Sequence, residues 1–348
     1  MDTLRTDVLV IGSGPAGSGA AIEASRRDVS VLIVDRAPIL GGTTRKVGFV
    51  PVGFAPNIPL PRFLRQQSVD GARIHIESDI VERSQPGFTI PLQDLCRILA
   101  GIAVDFGTEV RAGWSLDELD PAGHAVVTSE STRLAIEARV IIACDGPDST
   151  AAHLLELPAQ PHLNVIQLEV PLLRETSWLE FWLARRLRGG YAWFYPKRIT
   201  AGIGVAVQPE FEQKVSLDRL VEGHRDRLVE EGLVGARELT RTAGSIPCGG
   251  IRPELCFDRV ILAGDAAGTA HPMTVAGITT ALDSGRFAGA AAVAHLRGDM
   301  EALETYQRAM NSWLGGIHAR AVARRHFMQD AWDRIEFSRL MRDTCLGR

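Results

Sequence analysis

The chain has no surplus of positive charge: 38 Lys and Arg stand against 42 Asp and Glu over 348 residues, a formal net charge of -4. A nucleic-acid groove needs a basic excess against phosphate repulsion, so no nucleic-acid partner is expected. Cysteine is sparse. Cys96, Cys144, Cys248, Cys256 and Cys345 form no CxxC pair and no zinc or iron–sulfur spacing, which predicts reduced thiols, a cytoplasmic protein and no metal. No apolar run reaches the roughly 18 residues of a membrane-spanning helix. Met1 to Asp7 has neither signal nor transit character, and repeats and low-complexity tracts are missing. What remains is 45% hydrophobic with 34 Gly, enough to bury a large core in one to three lobes.

Periodicity divides the chain. An apolar run from Val8 to Ile11, a glycine turn, an Ala-rich helical stretch to about Arg27 and a second run from Val31 to Val34 make a βαβ opening. Residues 41–93 are irregular, with strands expected at Arg73 to Glu77 and Phe88 to Ile90. A helix from about Leu92 to Asp105 puts Leu95, Ile98, Leu99 and Ile102 on one face. From 163 to 246 the chain turns β-rich and aromatic. A later strand ending in Gly264-Asp265-Ala-Ala-Gly268, and the helix after it, return to the first lobe. The expected fold is α/β: a discontinuous Rossmann-like lobe of residues 1–72, 92–155 and 247–298, a mixed β-sheet lobe of 73–91 and 156–246, and C-terminal helices over 299–348.

Gly12-Ser-Gly14-Pro15-Ala16-Gly17 lies between a strand and a helix, and Asp35 closes the next strand. The first glycine permits the tight turn, the second lets a pyrophosphate approach, and the third lets helix and strand pack. Asp35 would accept ribose hydroxyls, and Arg36 and Thr44 are added to the cofactor contacts. An adenine dinucleotide follows.

Cys144-Asp145-Gly146 and Gly264-Asp265, with Pro272 and Gly277-Ile278 after them, resemble the paired fingerprints of flavoprotein monooxygenases and reductases. That resemblance implies FAD and a p-hydroxybenzoate hydroxylase-like fold. Asp265 would meet the ribityl hydroxyls, and the helix after Gly277 would aim its amides at the flavin pyrimidine edge. Either aspartate could instead serve as a turn or capping residue.

The segment Tyr191-Ala-Trp193-Phe-Tyr195-Pro196-Lys197 resembles the Tyr-x-Trp-x-Phe-Pro-Lys signature of the geranylgeranyl reductase family of FAD-dependent oxidoreductases. It implies a reductase acting on carbon–carbon double bonds of a prenyl or other lipid-like substrate, with Tyr191, Trp193 and Tyr195 lining the substrate lobe. Ordinary core packing is the other reading of those aromatics. Three positions depart from the family pattern. Gly41-Gly42-Thr43-Thr44 has no cysteine, no arginine precedes the Leu92 helix although Arg97 lies within it, and Ala276 stands where the family has Glu.

His271, beside Pro272, is a candidate proton donor or a capping histidine. Lys197 is either an anion contact or a solvated turn residue. The basic, apolar stretches at 182–188 and 318–328 suit either a packed helix or peripheral contact with an anionic membrane. No second GxGxxG unit is visible, so NAD(P)H, a ferredoxin or a quinol would have to donate electrons without its own Rossmann lobe. The alternatives within the resemblance are a monooxygenase of the same fold and a non-catalytic flavin carrier.

Overall fold

Val8, Leu9 and Val10 are apolar in succession rather than in alternation, which suits a strand covered on both faces. In the computed structural model, which describes residues 3–42, 46–130, 132–212 and 215–346, all three are fully buried. Their strand, Thr3–Ile11, lies parallel between Val31–Asp35 and Thr132–Ala143, with Val10 opposite both Ile33 and Ile142. Val260–Leu262 and Glu109–Ala112 extend the parallel sheet on either side. Cys256–Phe257 closes one edge antiparallel, and the strands Ser115–Asp120 and His124–Ser129 form a meander with the early part of Thr132–Ala143.

The helices Pro15–Ser25 and Ile278–Leu296 meet through residues too small to keep them apart. A Cβ on Gly285 would collide with the carbonyl of Ala16, one on Gly289 with that of Ala20, and one on Gly19 would sit 2.7 Å from the Leu282 carbonyl oxygen. This seam joins the beginning of the chain to its last third within one compact unit, Met1–Thr43, Gln93–Pro161 and Pro247–Arg320. The helix Leu92–Asp105 belongs to the same unit and buries Leu95 and Leu99 on the expected face.

The second unit, Thr44–Leu92, His162–Ile246 and Ala321–Arg348, holds an eight-stranded mixed sheet. In spatial order its strands are Thr240–Pro247, His162–Pro171, Thr200–Val207, Tyr191–Lys197, Trp178–Leu183, Gln67–Ile76, Asp79–Pro91 and Val47–Pro51. The helix Leu217–Glu230 covers one face, packing Leu217, Val221 and Leu228 on Ile166, Leu168, Phe194, Ile203 and Val205. Strand alternation sends Gln167, Glu169, Tyr191, Trp193, Tyr195, Gly202 and Gly204 to the other face.

The unit boundaries differ from the expected lobes: residues 156–161 and 299–320 cluster with the first unit, and two further stretches cluster with the second. Residues 44–72, expected with the first lobe, cluster with the second because Val47–Pro51 and Gln67–Ile76 both pair with Asp79–Pro91. The end of the helical tail clusters there too, since Arg185 donates to the Trp332 carbonyl at 2.8 Å and Arg188 pairs with Asp333 at 2.6 Å. The expected short strands at 73–77 and 88–90 are parts of the longer Gln67–Ile76 and Asp79–Pro91.

The seam makes a paired prediction. Gly285→Ala should lower the unfolding free energy by about 1–3 kcal/mol, because its methyl must displace backbone. Gly101→Ala, in an exposed helical position with nothing within 4 Å of the new Cβ, should raise it by about 0.5–1 kcal/mol. Urea titrations of the two variants check both signs.

Candidate active site

The Thr3–Ile11 strand ends at Gly12, where the chain turns at φ +97. The Gly12 amide donates to the Val34 carbonyl at 2.7 Å, and a Cβ there would stand 2.5 Å from the Cys144 carbonyl oxygen, so only glycine fits. Gly14 is bare for another reason. Its extended backbone, φ -64 and ψ -177, admits any residue, and a Cβ on it would meet nothing within 4 Å. Gly14 is also the N-cap of the Pro15–Ser25 helix, which has no side-chain cap. The helix start lies beside open space, at the positive end of the helix dipole.

Asp35 ends the neighbouring strand and turns toward the same loop. Its Oδ2 accepts from the Ser13 amide at 2.6 Å and the Ser13 hydroxyl at 2.5 Å, and its Oδ1 accepts from the Ala37 amide at 2.8 Å. Three donors leave a carboxylate about one of its four lone-pair directions for a hydroxyl from outside.

The late part of the chain brings a second glycine turn to the same helix. Gly264 has φ +63, and a Cβ on it would stand 2.7 Å from the Cβ of Ala16. Its amide donates to the buried hydroxyl of Ser284 at 3.0 Å. Asp265 follows, half-buried, and Gly277 then starts the Ile278–Leu296 helix, again with no side-chain cap. Between them His271 organises the loop: its Nδ1 accepts from the Met273 and Thr274 amides, each at 3.3 Å. That arrangement puts the proton of the neutral ring on Nε2. Edge-on to it, 6.0 Å between ring centroids, lies the buried His318. Burial, and then the charge of His271, push His318 down to about 4, and its Nδ1 accepts from the Ile251 amide at 3.0 Å.

In the second unit the aromatic strand presents Tyr191 and Tyr195, each edge-on to Phe181 at 5.6 and 5.8 Å. Burial pushes both phenols above their ordinary value, so they keep their protons. Trp193 lies over Gly204, whose missing side chain makes room for the indole; its Nε1 donates to Gln167 at 3.4 Å. Lys197, on the same face, is neither a solvated turn residue nor open to solvent. It is buried and pairs with Glu169 at 2.7 Å, where the Thr200 hydroxyl also donates at 2.9 Å.

The first unit thus brings Gly12, Gly14, Pro15, Ala16, Gly17, Asp35, Gly264, Asp265, Gly277, Ile278 and His271 together in one compact body, and the second holds Tyr191, Trp193 and Tyr195. Arg36 is exposed beside Asp35, and Thr44 lies outside the described residues. Arg97 donates to the Leu40 carbonyl at 3.1 Å. Asp145 resolves as a cap: it accepts from the Ser149 hydroxyl at 2.6 Å and the Ala151 amide at 2.9 Å, while burial raises its carboxyl. Sequence reasoning passed over Ser13 and Ser284. Ser13 sits inside the glycine motif and was open to notice, whereas Ser284 is one hydroxyl in a small-residue helix and gives no local signal.

These residues fit FAD: open space where a Cβ at Gly14 would stand, two helix starts without side-chain caps for negative charge, and the Asp35 carboxylate at the end of the second strand. Gly14→Val tests the fit, since neither backbone nor neighbours oppose valine there. The variant should melt like the wild-type apoprotein yet bind FAD about 100-fold more weakly, ~2.7 kcal/mol, measured by flavin fluorescence titration.

A family model described as FAD dependent oxidoreductase matches residues 7–147. Digeranylgeranylglycerophospholipid reductase 3 of Methanosphaera stadtmanae is 28% identical, over 96% of this chain and 89% of the relative. Digeranylgeranylglycerophospholipid reductase 1 of Methanothermobacter thermautotrophicus is 27% identical, over 89% and 83%. Among solved structures, a geranylgeranyl bacteriochlorophyll reductase-like protein of Thermoplasma acidophilum superposes with a TM-score of 0.85 at 20% identity, covering 99% of this chain and 91% of the other. A flavin-dependent brominase does so with a TM-score of 0.76 at 15% identity, over 98% and 99%. The protein is an FAD-dependent oxidoreductase, related over nearly its whole length to the digeranylgeranylglycerophospholipid reductases.

Proposed function

We propose that the protein saturates carbon–carbon double bonds of a prenyl or similar lipid. FAD, when bound and reduced, supplies hydride to one carbon of such a bond, chemistry that belongs to the cofactor rather than to a side chain. The protein's part is binding, orientation and exclusion of water.

One observation carries the substrate class: on the aromatic face of the second unit the indole N–H of Trp193 and the charge of Lys197 are engaged by neighbouring side chains. Gln167 holds the Trp193 indole N–H, and Glu169 holds Lys197 and Thr200. What that face has to offer is hydrocarbon, the rings of Tyr191, Tyr195 and Phe181, which suits an isoprenoid chain. An anionic or strongly polar substrate would want the Lys197 charge, and the buried Glu169 already neutralises it. The names of the relatives agree with this reading.

The proton for the second carbon is read as coming from a neutral, partly buried donor. Tyr191, Tyr195 and His271 are the candidates: burial keeps both phenols protonated, and the loop amides on Nδ1 leave Nε2 of His271 to carry a proton. The electron donor is read as binding transiently, a nicotinamide, ferredoxin or quinol, because one glycine-rich strand–turn–helix is present among the described residues and FAD takes it.

The test is anaerobic. Photoreduced protein mixed with a geranylgeranyl lipid should lose its reduced-flavin spectrum and give a product heavier by two hydrogens per bond saturated; a spectrum that changes only on admission of air would favour the monooxygenase. Tyr191→Ala, which removes a ring packed on Phe181 and Trp193, should lower kcat/KM for the lipid by about 10- to 100-fold with FAD content unchanged.

A further inference from the structure

Three loops of the second unit each carry an arginine beside an apolar side chain that the fold leaves in the open. Arg62 precedes Phe63 in a single helical turn, Arg174 follows Leu173 beyond the His162–Pro171 strand, and Arg198 precedes Ile199 in the turn between Tyr191–Lys197 and Thr200–Val207. Phe63, Leu173 and Ile199 are 69%, 66% and 81% exposed.

Gln67 draws the three loops to one edge of the sheet. Its Oε1 accepts from the Arg198 amide at 2.8 Å, and its Nε2 donates to the Thr176 carbonyl. The Leu172 amide donates to the Ile199 carbonyl at 2.9 Å, and Phe63 lies four residues before Gln67. The arginine side chains there differ from several others in this unit. Arg73, Arg188, Arg227 and Arg241 are held by carboxylates, whereas Arg62, Arg174 and Arg198 have no ion-pair partner among the described residues. Glu175 is the one carboxylate next to them in sequence.

Some cations of the stretches whose composition suggested membrane contact are taken up within the fold. Arg185 and Arg325 donate to the carbonyls of Trp332 and Gly189, and Arg188 pairs with Asp333. Those cations are occupied inside the unit.

We infer that this edge docks on an anionic lipid bilayer, with Phe63, Leu173 and Ile199 entering the interfacial layer and Arg62, Arg174 and Arg198 meeting lipid phosphates. Separate fingers of one apolar residue each suit a fluid interface better than the pocketed surface of a protein, and unpaired arginines complement a negative surface potential. The inference stands apart from the reductase reading: a protein that bound bilayers and reduced no alkene would keep this inference and lose that one.

The experiment is co-sedimentation of the FAD-loaded full-length protein with vesicles of equal parts phosphatidylglycerol and phosphatidylcholine, compared with phosphatidylcholine alone. Binding should favour the mixed vesicles and weaken in high salt. The variant Phe63→Ser/Leu173→Ser/Ile199→Ser should bind at least about tenfold more weakly, and Arg62→Gln/Arg174→Gln/Arg198→Gln should lose the preference for phosphatidylglycerol. Melting temperature and FAD content of both variants should match the wild type, since all six side chains are exposed. The inference is overturned if the wild type stays in the supernatant or binds both vesicle types equally. It is also overturned if Ile317→Ser/Phe327→Ser, on the exposed side of the Gly316–Ala331 helix, abolishes binding while the loop variants do not.

Discussion

The first unit depends on one constraint, that two helices far apart in sequence must touch backbone to backbone. Pro15–Ser25 lies so close to Ile278–Leu296 that the Cβ positions of Gly285 and Gly289 are taken by the carbonyls of Ala16 and Ala20. The same closeness brings the Gly264 turn against Ala16. A chain that could not make this approach would have its two glycine turns and no means of presenting them together. Dispersion and apolar burial along the seam then hold two helix starts, at Gly14 and Gly277, both free of side-chain caps. Positive ends of helix dipoles in one body suit a cofactor with a diphosphate at one end and a ring that gains negative charge at the other.

Each unit fixes its polar groups in its own way. In the first, Asp35 is braced by Ser13 and Ala37, and His271 is braced by its own loop amides, so both side chains have fixed orientations. In the second, the ion pair of Lys197 with Glu169 removes charge from the aromatic face. A buried pair of this kind contributes little net stability; here it neutralises the Lys197 cation on the aromatic face.

Much of this was legible in the sequence where the determinant is local. Gly12, Gly14 and Gly17 declare a strand–turn–helix; the turn at Gly12 and the close contact of Gly17 with the Gly12 carbonyl are there, and a Cβ at Gly14 would meet nothing within 4 Å. The alternation Tyr191, Trp193, Tyr195 declared a single face. Asp145 was ambiguous for a physical reason: an aspartate after a strand can bind a ligand or cap a helix, and only the positions of Ser149 and Ala151 decide for the cap. The placement of 44–72 was not legible, since strand pairing with Asp79–Pro91 is set by partners that the segment itself does not specify. The buried cations of the tail were hidden likewise: Arg325 looks like a surface charge until the Gly189 carbonyl is found against it.

A flavin-binding unit and a sheet with an aromatic face support the proposal that hydrogen, and not oxygen, is added to an isoprenoid double bond. Turnover of a geranylgeranyl lipid under isotopically heavy oxygen gas, with the product weighed by mass spectrometry, tests that claim most directly. A product that gains two hydrogens per bond and no heavy oxygen is the predicted result; incorporation of the label would contradict the account and make the protein a monooxygenase.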